Sequence, residues 1–511
     1  MASPITLDGV RTRPADIADI ARADAPVSLD PGGLDRALAS YKAAKEIAAR
    51  RPVYGRTTGV GANRTEQVTA GEGDVHGLRL LRSHAGGAGP REPDVHVRAM
   101  LAVRANQILA GGAGLQPAFA EALARALNSG FLPEIREVGA IGTGDLTALA
   151  EAGLTLIGER PWAEGTTPPP GENRPGAEGA SPAPGEPLAG PLGRTDPPAP
   201  VKLEAGDALA FCSSSAMTIG QAALAWSEIA TLLRAAQVTA ALSLLAVDGG
   251  TEPYDAPVHA GRPHPGAVKV AAEIRRLLGG PRTAAPRVQD PFGYRCLPQV
   301  HGPAVEAADE LERVLGVEIN AAAENPLIVA AEGTVHHHGG FHQAALGLAL
   351  DHLRLALLQA GHLSAARLAT LMDPGYTGLR PFLADDAPAA SGAMILEYSA
   401  TSALARLRGA AHPASLGHAV LSRGMEDHAS FAPQSARQTL DAAASYRLVL
   451  ACELVAAVRA LRLRGAAPDP STPAGAAFAL AAARLDPREE DRPLGSDVDT
   501  AADLLGALAA L

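Results

Sequence analysis

The chain has 511 residues, 47% of them hydrophobic, with 44 Lys and Arg against 55 Asp and Glu. That composition supports a large buried core and excludes a disordered polar tail. A formal net charge of −11 excludes a nucleic-acid partner, because phosphate backbones are bound by concentrated basic surface.

The start, MASPITLDGVRTRPADIADI, carries acidic residues and no apolar run of signal-peptide length, and no later stretch gives 18 uncharged apolar residues. A soluble, cytoplasmic protein with no membrane segment is therefore expected. Cys212, Cys296 and Cys452 are odd in number, far apart and without CxxC spacing, which indicates neither a disulfide framework nor a zinc site. Length alone suits either about three domains of roughly 150 residues or one long helical body. Aromatic residues make up 3% of the chain, so its core is packed from small and aliphatic side chains that favour helices, and the predicted class is mostly α.

Along the chain, residues 1–165 form a Gly-rich N-terminal region. Within it, VGAIGTGDLTALAEAGLTLIG (138–158) reads as a glycine loop running into a helix, with Leu146, Leu149, Ala150, Leu154 and Ile157 on one face and Asp145 placed to cap it. Glycines 139, 142 and 144 permit tight backbone geometry, and the helix start offers free N–H groups. Residues 166–200 are so rich in Pro, Gly and Ala that they read as a surface insertion. Residues 201–466 form a central long-helix bundle, with helices predicted at 216–245, 303–317, 343–371, 393–408 and 435–464 from apolar spacings of three and four. In the last of these, Leu440, Ala443, Ala444, Leu448, Ala451 and Val455 are expected to line one buried stripe. Residues 467–511 form a C-terminal helical segment.

Several short segments carry side chains suited to proton transfer or anion binding. They are YGRTTGVGANR (54–64), LLRSHAGGAG (80–89), VHAGRPHPG (258–266), VQDPFGYRCLPQV (288–300), INAAAENPLIV (319–329), GGFH (339–342), AHPAS (411–415) and MEDHASFA (425–432). Taken together with the glycine loop, they make the chain similar to the histidine and aromatic amino acid ammonia-lyase family, from about Tyr54 to near the C-terminus. The resemblance implies a mostly α, long-helix homotetramer whose active sites combine residues of more than one subunit. It also implies an amino acid-like substrate and no external cofactor. In that family an Ala-Ser-Gly triad cyclises to a methylidene-imidazolone (MIO), the electrophile that activates the amine.

By the same resemblance Tyr54 falls on the base for the β-proton, a role that needs its phenol pKa lowered. Arg295 falls on the arginine that pairs with the substrate carboxylate. Ser83 and His84 match the pair associated with histidine-type selectivity, and Glu426 falls near the imidazole end of the site. Asn325, in the ENPL turn, assists carboxylate or backbone binding or simply builds the turn. His336, His337, His338 and His342 sit in a Gly-containing turn without the fixed spacing of a metal site, so no metal is expected.

The chain departs from the pattern at its most chemical point: the triad reads Gly142-Thr143-Gly144, preceded by Ile141. A dehydrated threonine would put a methyl group on the alkene carbon that the amine must attack, so no standard MIO is expected. Cys212 stands where the family has an asparagine and Phe292 where it has a tyrosine, while Gly340, Glu397 and Met425 also differ and Arg56 adds a charge beside Tyr54. Three functions stay open. One is a carbon–nitrogen lyase that expels a good amine leaving group, such as a quaternary amine, without MIO. The others are an MIO-independent acid/base enzyme acting on an aromatic or imidazole-like substrate, and a non-catalytic binding homologue.

Overall fold

With so few aromatic residues, the interior is filled by Ala, Leu, Val and Ile, whose small volumes let helices approach closely. A computed structural model describes residues 4–22, 25–69, 71–163, 197–280 and 286–511. Among these the chain is mostly α-helical, with three two-stranded sheets, as the sequence predicts. The predicted insertion at 166–200 lies outside the described residues except for 197–200. The long helices run Ala216–Ala246, Leu297–Ile319, Ala344–Leu371, Ile395–Ala410 and Ala432–Leu463.

One of these departs clearly from its predicted span. The helix expected to start at Pro303 begins at Leu297 and carries Pro303 inside it. An interior proline costs about 3 kcal/mol. Leu297 and Leu311 are both at most 2% exposed, and burial of each contributes about 1.5–3 kcal/mol, which offsets that cost. An apolar window within Asp207–Ala246 would be long enough to cross a membrane, yet 78% of it is buried inside the protein, as in a core helix.

Contacts divide the chain into two units, one of residues 1–224, 312–348 and 414–437 and the other of residues 225–311, 349–413 and 438–511. This differs from the division into 1–165, 166–200, 201–466 and 467–511 expected from composition. Composition follows the chain, whereas long helices bring distant segments together, so that most unit boundaries fall inside a helix.

In the first unit Ile5–Leu7 pairs in parallel with Val27–Leu29, in the register Ile5 to Val27 and Leu7 to Leu29. Ala88–Arg91 pairs antiparallel with Arg136–Val138, and Leu327–Val329 with Thr334–His336. The helix Asp94–Ala110 is buried without interruption from Val97 to Leu109, although Arg98, Arg104, Asn106 and Gln107 lie in that stretch. Their polar atoms are largely answered within the protein: Arg98 donates to the carbonyls of Ile20, Ala21 and Leu127, and Asn106 accepts from the backbone N–H of Gly9 and donates to Ile319 O. Arg104, fully buried, pairs with Glu324 at 2.8 Å and donates to the carbonyl of Ala210.

The second unit contains another set of buried charges. Arg354 pairs with Asp351 and donates to Thr439 Oγ1 at 2.9 Å and to Ala410 O at 2.8 Å. Arg367 pairs with Glu453 at 2.6 Å. Of the stripe expected on the last long helix, Ala443, Ala451 and Val455 are buried, while Ala444 is exposed and Leu440 and Leu448 are half-buried; Thr439, Tyr446, Leu450 and Glu453 are buried as well. Two polar residues face inward because buried arginines require acceptors.

Glu324→Ala leaves the Arg104 guanidinium buried without its carboxylate. A loss of about 3–5 kcal/mol is expected, read as a lower denaturation midpoint; an unchanged midpoint would remove this pair from the stability of the first unit.

Candidate active site

The loop after Arg51 is shaped by glycine. Gly55 has φ +69°, and a Cβ there would stand 1.9 Å from Leu209 Cδ2, so only glycine fits beside the short helix Asp207–Cys212. The turn that follows brings the backbone N–H of Gly61 within 2.7 Å of Tyr54 Oη, to which it donates. The backbone N–H of Tyr54 donates in turn to His337 Nε2 at 3.3 Å. Tyr54 is thereby held at both ends.

The second loop carries Gly142-Thr143-Gly144. Gly142 and Gly144 have φ of +94° and +107°, and a Cβ on Gly142 would stand 2.0 Å from Ser430 Oγ. Ser430 Oγ donates to Gly142 O at 3.1 Å, the N–H of Phe431 donates to Ile141 O at 2.9 Å, and Gln434 Nε2 donates to Ala140 O at 2.8 Å. Thr143 Oγ1 donates to Glu426 Oε2 at 2.9 Å, a contact between residues remote in sequence.

Asp145 ends this loop, but its side chain does not cap the helix Leu146–Leu156. Its carboxylate accepts instead from the backbone N–H and Oγ1 of Thr218 at 2.8 and 2.9 Å. Complete burial pushes its pKa up to about 6, against the lowering effect of those hydrogen bonds. The expected cap is corrected: a buried partner in the tertiary structure outcompetes the local N–H groups.

Tyr54, Thr143, Gly144, Asn325 and Glu426 line one cavity of about 680 Å³ in the first unit, and Gly142 lies behind Thr143 against Ser430. The Asn325 carboxamide oxygen accepts from the N–H of His338 at 3.0 Å, which gives it a turn-building contact. Ser83 and His84 line a different pocket, of about 410 Å³, on the far part of the Tyr54 loop. The imidazole of His84 is turned toward Leu80 O and Ser83 Oγ. Cys212 is 0% exposed and lines neither cavity; burial pushes its thiol up to about 12, against the lowering effect of Arg104. Phe292 and Arg295 belong to the second unit and lie outside the lining of this cavity. There Phe292 is 63% exposed, with the Arg295 guanidinium stacked 4.1 Å from its ring centre.

The electrostatics of Tyr54 run against expectation. Burial raises its phenol pKa above the ordinary value and the charge of Glu426 adds to the rise, while the Gly61 N–H and Arg64 oppose it. Nothing within the cavity of the isolated chain overcomes desolvation.

His337, His342 and His428 line the same cavity. His342 Nε2 and His428 Nδ1 stand 3.0 Å apart, so one ring must donate and the other accept. Burial first, then the neighbouring charge of His428, lowers the pKa of His342. The segments GGFH and MEDH, 86 residues apart, held the signal for this pair. The turn histidines go to separate partners: His336 to Thr334 Oγ1, His337 to the Tyr54 N–H and His338 to Glu324 O and the Gly340 N–H.

Against known proteins, a family model described as aromatic amino acid lyase matches residues 12–484. Histidine ammonia-lyase of Streptomyces coelicolor is 34% identical over 499 residues, covering 95% of this chain and 93% of the relative. That of Sorangium cellulosum is 34% identical over 519 residues, covering 97% and 96%. Among solved structures, the ergothioneine-degrading enzyme ergothionase of Treponema denticola, in complex with desmethyl-ergothioneine sulfonic acid, superposes with a TM-score of 0.86 at 25% identity and covers 100% of both chains. Histidine ammonia-lyase of Trypanosoma cruzi gives 0.86 at 26% identity, covering 99% of this chain and 94% of that one. Tyrosine aminomutase of Streptomyces globisporus gives 0.87 at 27%, covering 99% and 97%.

Two outcomes follow from the loop. Gly142→Ala forces a side chain into left-handed backbone and onto Ser430, and a loss of at least about 1–3 kcal/mol is expected; the double variant with Ser430→Gly should recover part of it in thermal denaturation. The pKa of Asp145 is raised, so the folded state holds its proton more tightly than the unfolded chain. Its contribution is greatest below the ordinary value of 3.8 and is lost as pH rises through about 6. Asp145→Asn should flatten that fall in a series of denaturation curves from pH 4 to 7. Asp207, also pushed up to about 6 by burial, retains the remainder.

Proposed function

The chain belongs to the aromatic amino acid lyase family and is a carbon–nitrogen lyase; from that premise we propose that it expels a tertiary amine from the quaternary ammonium group of an amino acid betaine without forming a standard MIO. Relatives in this family build that electrophile from their own chain and use no external cofactor. The observation that carries the proposal is the residue at position 143, a threonine rather than a serine, whose Oγ1 donates to Glu426 Oε2 in the cavity that also holds Tyr54. A ring made from Gly142-Thr143-Gly144 would be methylated at its reactive carbon, which is poorly suited to capture an amine.

A quaternary nitrogen removes the need for capture. Tyr54, as the phenolate, takes the β-proton; the C–H pair becomes the new Cα=Cβ π bond, and the Cα–N pair leaves with the nitrogen as a neutral tertiary amine. The products are an α,β-unsaturated acid, a free amine and protonated Tyr54. No group has to protonate the departing nitrogen. The electrostatics of the cavity favour the same substrate class. A permanent cation beside Tyr54 and Glu426 stabilises both the phenolate and the carboxylate, opposing the burial that raises the phenol pKa. Asp427 lines the same cavity and adds negative charge.

Arg295 is the carboxylate clamp in this reading. It lies outside the cavity lining of its own chain, and a second copy in a homotetramer supplies it. Glu426 selects the ring of the substrate, while Ser83 and His84 line the neighbouring pocket. Support for an amine-quaternised substrate comes from the likeness to the ergothioneine-degrading enzyme over the whole of both chains.

Two measurements test this. A peptide mass across residues 139–146 should be unmodified, and histidine trimethylbetaine should yield trimethylamine and the unsaturated acid while histidine yields no ammonia. A deficit of two waters in that peptide together with ammonia from histidine would overturn the proposal. Tyr54→Phe should lower kcat by about 10²–10⁴ with the fold intact, and an unchanged kcat would remove Tyr54 as the base. Because its pKa is raised, the wild-type rate should climb with pH through the neutral and alkaline range.

A further inference from the structure

A clamp has to be held still, and Arg295 ends a helix of only 4 residues, Phe292–Arg295. A helix that short has no stability of its own. The guanidinium finds little to orient it directly: it stacks on Phe292, and among the described residues its buried Nε has no hydrogen-bond partner. Its position is therefore set by the backbone that carries it.

Two buried side chains of the same unit grip that backbone by its carbonyls. Tyr254 Oη donates to Tyr294 O at 2.7 Å, and Arg367 Nη1 donates to Gly293 O at 3.2 Å. Both residues are 1% exposed. Arg367 is itself locked, since its Nε and Nη2 reach the two oxygens of Glu453 at 2.6 and 2.8 Å. Glu453 in turn accepts from Ser243 Oγ and Ser364 Oγ at 2.7 and 2.5 Å. Packing closes the arrangement: a Cβ on Gly293 would stand 3.0 Å from Arg367 Cγ. The turn rests on a rigid, fully buried support.

Resting on the reading of Arg295 as the carboxylate clamp, we propose that Tyr254 and the Arg367–Glu453 pair are positioning residues for it, fixing the Phe292–Arg295 turn so that the guanidinium meets the substrate carboxylate. Bidentate pairing is geometrically demanding, so a small shift of the turn reaches binding directly. None of the three residues lines the active-site cavity. Their effect is confined to the carboxylate end of the substrate.

The test measures binding of trans-3-(imidazol-4-yl)acrylate and of its neutral amide to the assembled full-length protein by calorimetry. The variants are Tyr254→Phe, Arg295→Ala and the two combined. Tyr254→Phe should weaken acrylate binding about three- to tenfold, the loss of one hydrogen bond, while leaving amide binding and the melting temperature close to wild type. In the Arg295→Ala background it should add nothing. Arg367→Lys, which keeps the charge but loses the planar fork, should show the same selective loss. Equal weakening of acrylate and amide, or an undiminished effect without Arg295, would overturn the positioning role and leave the clamp standing. An unchanged acrylate affinity in Tyr254→Phe would do the same. If Arg295→Ala leaves acrylate affinity unchanged, the clamp itself fails and this inference with it.

Discussion

A guanidinium that is fully buried must have its charge and its N–H groups answered by the protein, and here that requirement ties the loops to the helices. Arg104 is fully buried in the first unit and reaches both Ala210 O and the carboxylate of Glu324. Ala210 adjoins Leu209 and Glu324 adjoins Asn325, both of which line the cavity. One side chain thus fixes two walls. Arg354 and Arg367 do comparable work in the second unit, seizing carbonyls of loops and a short turn. Burial of these ions is expensive in isolation, and the paired carboxylates and carbonyls make it tolerable.

The same need for satisfied polar groups shapes the site. Ser430, Phe431 and Gln434 hold the backbone of residues 140–142, and two glycines with left-handed φ let the loop turn between those contacts. Thr143 is then presented to Glu426. The cavity sets the charge of Arg64 against those of Glu426 and Asp427, and the half-buried Tyr54 phenol stays raised because desolvation outweighs Arg64 and the Gly61 N–H.

Much of this site was legible in the amino-acid sequence. Tyr54, Thr143, Asn325 and Glu426 belong to segments with distinctive wording, and they do line one cavity. Asp145 was misread because a capping signal is local, whereas its partner Thr218 lies 73 residues away. The His342–His428 contact escaped for the same reason, as did the burial of the polar residues Thr439 and Glu453. Ser83 and His84 were identified with the selectivity end, but their own contacts turn them toward a neighbouring pocket.

The residues alone settled the helical class, because a core built from Ala and Leu with apolar positions three and four apart buries well only as packed helices. They also showed which side chains had chemistry to offer. Only the tertiary structure decided which polar groups became partners, where the long helices turned their buried faces, and that the Tyr54 phenol is raised rather than lowered. Periodicity and motif wording are short-range properties of the chain. Desolvation and ion pairing depend on atoms brought together from far along it, and no local pattern encodes their distances.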